Sequence, residues 1–511
     1  MTGTPGSTST SSAELSYASS RGRWVLVATI LGSSLAAIDA TVVGIALPSI
    51  GKDFHASLSA LQWVVTAYTL TLAGLLLFAG ALGDRYGRKK VFLIGVVWFA
   101  AASILCGVAP DSPFLIAARA VQGIGAALLT PGSLAILEAS FRPEDRSKAI
   151  GAWSGLSGVG TAIGPFLGGW LISAVSWRLI FLINLPLAVV VVAVGRRHVP
   201  ESRDLGETGQ LDIAGGVLVT LGLIGLTYGL IEGPAAGWTT PGSITALIAG
   251  TVLLAVFILR ERRASSPLLS LSLFSSLQFS AANVLTFIVY GALGGALFLL
   301  PLQLEQVSGY TPLQAGISLL PVTVIMLLLS ARSGALAAKI GPRLQMTVGP
   351  VVIGIGLFLF ARIGSSGNYL TEVLPAVAVF GFGLAINVAP LTSTVLAAAP
   401  AENAGMASAV NNDVARAAQL IAVAVLPAAA GLTGSSYLHP EEFSAGFRTA
   451  VFISGGLCLL AGAVAAVTIR NPSRVKAPVA AEAPMQFHCG LDAPPPSASA
   501  AAPQPAPAPR T

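Results

Sequence analysis

Apolar runs about as long as a bilayer is thick recur along nearly the whole chain, separated by short polar segments. Fourteen can be marked: Trp24–Leu47, Leu61–Leu82, Val91–Val108, Phe114–Leu137, Ala149–Val175, Leu179–Val194, Ile213–Ile231, Ile244–Leu259, Ala281–Leu302, Ala315–Ala331, Met346–Ala361, Val373–Leu396, Gly405–Leu426 and Phe447–Ile469. Each approaches the ~20 residues that a helix needs to cross a hydrocarbon core, the sixth and eighth being the shortest. None shows the alternating pattern of a membrane β-strand. Interior Gly and Pro are frequent, which spanning helices accept more readily than soluble ones. The pattern predicts an all-α membrane protein with fourteen transmembrane helices.

Composition narrows the solvent. Hydrophobic residues make up 54% of the chain, charged residues only 10%, and the mean hydropathy is +0.79. A soluble surface needs roughly 25% charged residues, so lipid is the partner that this surface requires. The net charge of +6 does not point to nucleic acid, because the Lys and Arg residues sit in short clusters between apolar runs. With the N-terminus inside, 22 of the 28 Lys and Arg residues fall on one side, among them Arg21, Arg85, Arg142, Arg196, Arg260, Arg343 and Arg470. Translocation disfavours basic loops, so both termini are expected in the cytoplasm of a cell-membrane protein. The count of fourteen is supported too, since one missed span would invert every later loop.

Cys106, Cys458 and Cys489 and four scattered histidines suit neither a disulfide framework nor a metal site. The Ser/Thr-rich N-terminus lacks the pattern of a cleavable signal. Five segments are expected: a disordered cytoplasmic N-terminus at 1–22, a six-helix bundle at 23–195, a linker with two extra spans at 196–263, a second six-helix bundle at 264–470, and a disordered tail at 471–511. The tail turns to Ala and Pro, a composition unable to bury a core.

Ionisable groups inside a bilayer cost at least ~2.5–3.5 kcal/mol at mid-helix, so each needs a reason. Asp39 lies deep in the first span: either a proton-titratable group facing a central cavity, or a carboxylate satisfied by a neighbouring helix or the interface. Arg119 in the fourth span is effectively always charged and demands acceptors; it serves function or clamps carbonyls of a neighbour. The loop Gly80-Ala-Leu-Gly-Asp84-Arg-Tyr-Gly87-Arg88-Lys-Lys is a tight basic connection whose Asp84 could cap a helix. A weaker copy at Gly334–Arg343 is the trace of an internal repeat. In the fifth span Gly160, Gly164, Gly168 and Gly169 allow close helix approach, and Pro165 kinks the segment. Glu305 reads as an exposed loop-edge acid or a cation-selecting group. Asn411, Asn412, Asp413 and Arg416 in span thirteen are candidates for a cavity, with Asp413 and Arg416 placed as i, i+3 neighbours able to neutralise each other.

Taken in order, these segments resemble the major facilitator superfamily, in particular its fourteen-span drug:proton antiporter branch. The Gly80–Lys90 loop, Asp39 with Ala46-Leu47-Pro48, Arg119 with Gln122-Gly123, and the fifth-span glycines followed by Trp177, Arg178, Phe181, Asn184 and Pro186 carry the resemblance over residues 23–470. The resemblance implies two six-helix bundles plus two central helices, and proton coupling at Asp39 and Arg119. It also implies a cytoplasmic gate at Asp84 and Arg88, with Glu138 as partner, and a kinked fifth helix that biases the cycle to exchange. The expected activity is proton-driven efflux of drugs or small lipophilic metabolites by a monomer, with protons and substrate as its only small partners and no cofactor. Uptake by symport, and a non-transporting structural role, are the alternatives. No nucleophile–base pair or phosphate loop supports an enzyme.

Overall fold

The computed structural model describes residues 15–203, 212–264, 267–400, 403–434 and 436–471. Among these, thirteen helices are long and apolar enough to cross a membrane: α1 (Ser20–Phe54), α2 (Leu58–Tyr86), α3 (Arg88–Gly107), α4 (Ser112–Ser140), α5 (Pro143–Ala174), α6 (Leu179–His198), α7 (Ile213–Ala236), α8 (Pro241–Glu261), α9 (Leu277–Val307), α10 (Pro312–Ile340), α11 (Arg343–Phe360), α12 (Tyr369–Ala397) and α14 (Pro440–Thr468). Between the last two lies α13 (Ala404–Ala429), 26 residues long. It falls short in hydropathy because Asn411, Asn412, Asp413, Arg416 and Gln419 interrupt it. Helices thus occupy all fourteen expected positions.

Local chemistry sets the starts. Ser19, Ser57, Asp111, Asp212, Thr240, Ser276 and Thr311 accept a backbone N–H from their own first turn. Such a cap satisfies a donor that the helix itself cannot. Prolines open α5, α8, α10 and α14, where a missing N–H costs nothing. Residues 1–14 and the expected tail from 472 lie outside the described residues. Within the segment expected to be disordered up to residue 22, Leu15–Ser19 is ordered instead. The Leu15 N–H donates to the Ser140 carbonyl at 2.8 Å, the Arg142 N–H donates back to Leu15 at 3.2 Å, and α1 begins at Ser20.

The helices pair by one rule applied twice. In the first half α1 packs on α4, α5 and α6, and α4 on α2 and α3, with α3 also against α6. In the second, α9 packs on α12, α13 and α14, and α12 on α10 and α11, with α11 against α14. Adding eight to each first-half number generates the second-half pairs, so the chain is built from two like bundles. The halves meet along α2–α13 and α5–α10.

The apolar core is distributed unevenly between the two ends. At the far face, opposite the chain ends, one cluster joins Ile50, Leu58, Leu61 and Phe181 of the first half to Leu299, Phe360, Tyr437 and Phe443 of the second. At the face carrying the chain ends the core splits in two. Val25, Phe92 and Phe141 form one cluster; Phe279, Met346 and Ile469 form another. The far face is therefore sealed and the terminal face parted. Tyr437 is buried in the seal, its hydroxyl bonded to the Ala56 carbonyl, and Gln62 Nε2 donates to the Val423 carbonyl at 2.6 Å.

The extra pair does not fill the space between bundles. α7 packs against α2 and α13 on one side of the seam, and α8 packs on α7. Trp63 Nε1 donates to Glu232 at 2.9 Å, and Thr220 Oγ1 donates to the Gly74 carbonyl at 3.0 Å. At the terminal face Arg260 Nη2 meets Asp212 at 2.8 Å. Desolvation pushes the Asp212 carboxyl up, but the bonds from Arg260 and from the Gly215 N–H outweigh it and leave the group below its ordinary value. A depressed carboxyl stabilises the fold above its unfolded pKa and loses that contribution as pH falls through its folded value. Thermal stability in detergent should therefore lose this increment only below the usual carboxylate range. In Asp212→Asn that acid-side loss should be smaller, which melting curves carried below that range would read.

Candidate functional site

The deepest polar cluster sits inside the first bundle, where α1, α3, α4 and α6 converge. α6 is interrupted at Ile183. Pro186 causes the break, since it cannot donate to the Leu182 carbonyl four residues back. The interruption comes immediately before Asn184, whose side chain enters the cluster. Gly125 of α4 lies so close to α3 that a Cβ would stand 2.6 Å from the Phe99 nitrogen, and this contact holds the two helices against each other.

Asp39 and Arg119, on different helices, form a fully buried ion pair with Nη1–Oδ2 at 2.5 Å. The same Nη1 donates to Gln122 Oε1 at 2.6 Å, and Nε donates to the Val64 carbonyl at 3.1 Å. Asp39 Oδ1 accepts from Gln122 Nε2 at 2.8 Å and from Asn184 Nδ2 at 3.2 Å. Ser103 Oγ accepts from both amides, at 2.9 and 3.3 Å. The guanidinium lies over the Tyr68 ring, 4.3 Å from its centroid. Asp39 only accepts, from Arg119, Gln122 and Asn184, as a carboxylate can. Asp39 thus does not face a central cavity, one of the two settings that the sequence allowed; it is satisfied by neighbouring helices within its own bundle. Ser103 and Tyr68 carried no sequence signal, whereas Gln122 and Asn184 stand inside the motifs quoted for the resemblance.

The fifth-span glycines seat α5 on α1 around this pair. A Cβ at Gly160 would meet Ser34 Oγ at 2.8 Å, one at Gly164 would meet Thr41 Cβ at 3.2 Å, and one at Gly168 would meet Val42 Cγ1 at 2.8 Å. Asp39 lies between these contacts on α1. Gly169 turns toward the other bundle, where its Cβ would stand 2.8 Å from the Leu313 Cα of α10. Gly316 of α10 faces the Pro165 carbonyl carbon in return, also at 2.8 Å. Pro165 thus lies at the seam.

In the loop between α2 and α3, Arg88 Nε donates to Asp84 at 2.7 Å, both side chains being part-exposed. Gly80 has only a Pro131 contact at 3.8 Å, and Gly87 has φ +116°, a conformation that favours glycine. Asp84 thus pairs within its own loop. Glu201, which carried no signal, caps α3 by accepting the Lys89 N–H at 3.1 Å. Glu138 is exposed.

In the second bundle two expectations are corrected. Glu305 is not an exposed loop-edge acid: it lies in the π-helical turn Gln303–Val307 with only 8% exposure, and its Oε1 has no hydrogen-bond partner among the described residues. Its turn follows Pro301, and the neighbouring Gln303 is tied to the Ile363 carbonyl at 2.9 Å. Asp413 and Arg416 are not in direct contact: among the described residues no salt bridge joins them, and Asp413 Oδ1 and Arg416 Nε are buried without hydrogen-bond partners. Asn411 Nδ2 donates to Asn283 at 3.1 Å and to Thr286 at 2.7 Å; Asn412 Nδ2 donates to the Ser408 carbonyl at 2.9 Å.

Two like bundles, sealed at one face and parted at the other, with a buried ion pair in one of them, define a polytopic membrane transporter. The chain belongs to the Major Facilitator Superfamily, whose family model matches residues 29–423. It is 36% identical over 417 residues to the multidrug resistance protein Stp of Mycobacterium tuberculosis (strain CDC 1551 / Oshkosh), covering 81% of this chain and 77% of that one. To the tetracenomycin C resistance and export protein of Streptomyces glaucescens it is 35% identical over 409 residues, covering 80% and 76%. The crystal structure of peptide transporter POT in complex with sulfate shares the fold, with a TM-score of 0.63 at 15% identity over 87% of this chain and 93% of that one.

Proposed function

We propose that this transporter exports drugs or small lipophilic metabolites in exchange for protons, with both termini in the cytoplasm. The resistance and export proteins among its relatives support the direction; the buried Asp39–Arg119 pair carries the coupling. With the basic face inside, the parted end opens to the cytoplasm and the sealed end faces outward. In this state Asp39 accepts hydrogen bonds from Arg119, Gln122 and Asn184, and the parted end leaves the protein ready to take substrate from inside. Once the outer face opens, a proton arriving at Asp39 would remove the counter-charge of Arg119 and displace one donor. That rearranges the α1–α4–α6 junction, and discharge of the proton inward resets it.

The test is reconstitution in vesicles with ethidium and a proton gradient imposed in either direction. Antiport requires ethidium to move against the direction of proton flow. Movement with the protons would make it a symporter, and no gradient-dependent movement across a chemically diverse drug panel would overturn the transport reading.

The loop between α2 and α3 belongs to the outward-open state under this reading, since among the described residues Asp84 pairs here only with Arg88. An exposed pair of this kind contributes ~0–1 kcal/mol, so Asp84→Ala should leave thermal stability nearly unchanged. Its exchange rate should fall severalfold, with slower change of cysteine accessibility at the cytoplasmic face. If rate and accessibility both match wild type, the loop serves insertion alone.

A further inference from the structure

The pairing rule that relates the bundles makes α9, α12 and α13 the counterparts of α1, α4 and α5. In the first bundle the corresponding helices hold an ion pair. In the second they enclose a cavity of about 80 Å³ lined by Tyr290, Thr392, Val395, Leu396, Ser408, Asn411, Asn412 and Ala415. No carboxylate, ammonium or guanidinium is among these eight residues.

The bonding state of the polar groups sets what the cavity can hold. Asn411 spends its amide hydrogens on Asn283 and Thr286, and Asn412 donates to the Ser408 carbonyl. Thr392 Oγ1 donates to the Val388 carbonyl at 3.1 Å. The amide oxygens and the Thr392 lone pairs are left to accept. The hydroxyls of Tyr290 and Ser408 have no side-chain hydrogen bonds among the described residues. The lining therefore offers uncharged donors and acceptors together, from the hydroxyls and the amides, with Val395, Leu396 and Ala415 supplying an apolar wall. Buried polar groups call for hydrogen-bond partners, yet an ammonium placed here would lose its water without gaining a counter-charge. Uncharged hydroxyls on an apolar body satisfy both demands. Gly405, one turn before Ser408 on α13, has no neighbour within 4 Å of a Cβ position, so α13 is open beside the cavity lining. A molecule wider than the cavity can therefore seat one end in it and leave the remainder outside.

We propose that this cavity is the subsite that recognises the transported molecule, and that it takes the neutral, hydroxyl-bearing end of an apolar compound. This rests on the export reading and adds a substrate class to it. The division of labour follows from the two bundles: one holds the coupling pair and the other holds the cargo.

The experiment measures binding of 1,8-dihydroxyanthraquinone, anthraquinone and tetraphenylphosphonium to the full chain in nanodiscs, with ethidium export in vesicles alongside. Wild type should prefer the dihydroxy compound to both others. In Tyr290→Phe and in Ser408→Ala the preference for it over anthraquinone should shrink, by about 3- to 10-fold per lost hydrogen bond. Melting curves and monodispersity confirm that each variant is folded, and the preference ratio cancels a general loss of affinity. A ratio unchanged in both variants, or a wild type that prefers tetraphenylphosphonium, overturns the subsite. If ethidium export is proton-driven while either result holds, the export reading stands without it. If no probe is bound and none exported, both readings fall.

Discussion

Asp39→Asn is expected to abolish uphill efflux while substrate still binds. The substitution keeps size and polarity but removes the titration and leaves Arg119 without its counter-ion. Breaking a buried pair by removing one partner costs roughly 3–5 kcal/mol, so the single variant should also melt earlier. Arg119→Gln strands Asp39 in the same way and should lose comparable stability. The double variant Asp39→Asn/Arg119→Gln separates the effects. With both charges gone it should recover most of the lost thermal stability, since a neutral cluster of hydrogen-bonded side chains replaces an unpaired charge. Its vesicles should nevertheless equilibrate substrate and never accumulate it under a proton gradient. Accumulation at the wild-type level in the double variant would remove the pair from the coupling mechanism and leave it a structural clamp.

Gly316→Ala and Gly169→Ala are expected to disfavour the conformation described here. Each new Cβ meets backbone of the opposite bundle within 2.8 Å, the Pro165 carbonyl group in one case and Leu313 Cα in the other. Backbone cannot swing aside as a flexible side chain can, so the seam must separate. Overpacking of this kind costs typically ~1–3 kcal/mol. The cost falls on the state with α5 and α10 in contact at the far face, so its population should drop about 5- to 150-fold against the alternative. Distances between spin labels on the far ends of α5 and α10 should lengthen, and a cysteine near Leu313 should become reactive from that side. Labels that report wild-type distances in both variants would show that the seam absorbs the methyl groups locally. A control is at hand in Gly155, beside which nothing lies within 4 Å. Gly155→Ala should leave the distances as they are.

How legible the protein is depends on the range of the forces involved. The fourteen helices could be placed from the chain because lipid makes each backbone satisfy itself within one segment, so length and hydropathy suffice. Even α13 follows from this: its polar residues weaken the spanning signal, and the same residues marked it beforehand as a candidate for the path. The Asp39–Arg119 pair was legible as two expensive charges, but not as a pair. Eighty positions separate them, and nothing local says that α1 and α4 cross there.

Charge spacing misled where it was taken for contact. Asp413 and Arg416 share a face by sequence, yet their side chains do not meet, since what a side chain reaches depends on the neighbouring helices as well as its own. Glu305 looked like a loop edge because the apolar run ends before it; the π-helical turn after Pro301 carries it into the interior. The sequence by itself determined the solvent, the number of crossings and the costly residues, because these follow from transfer energies summed over one segment. Only the tertiary structure decided which face is sealed, that α7 lies beside the seam, and that the second bundle encloses an uncharged polar cavity, because each depends on helices far apart in the chain packing at one place.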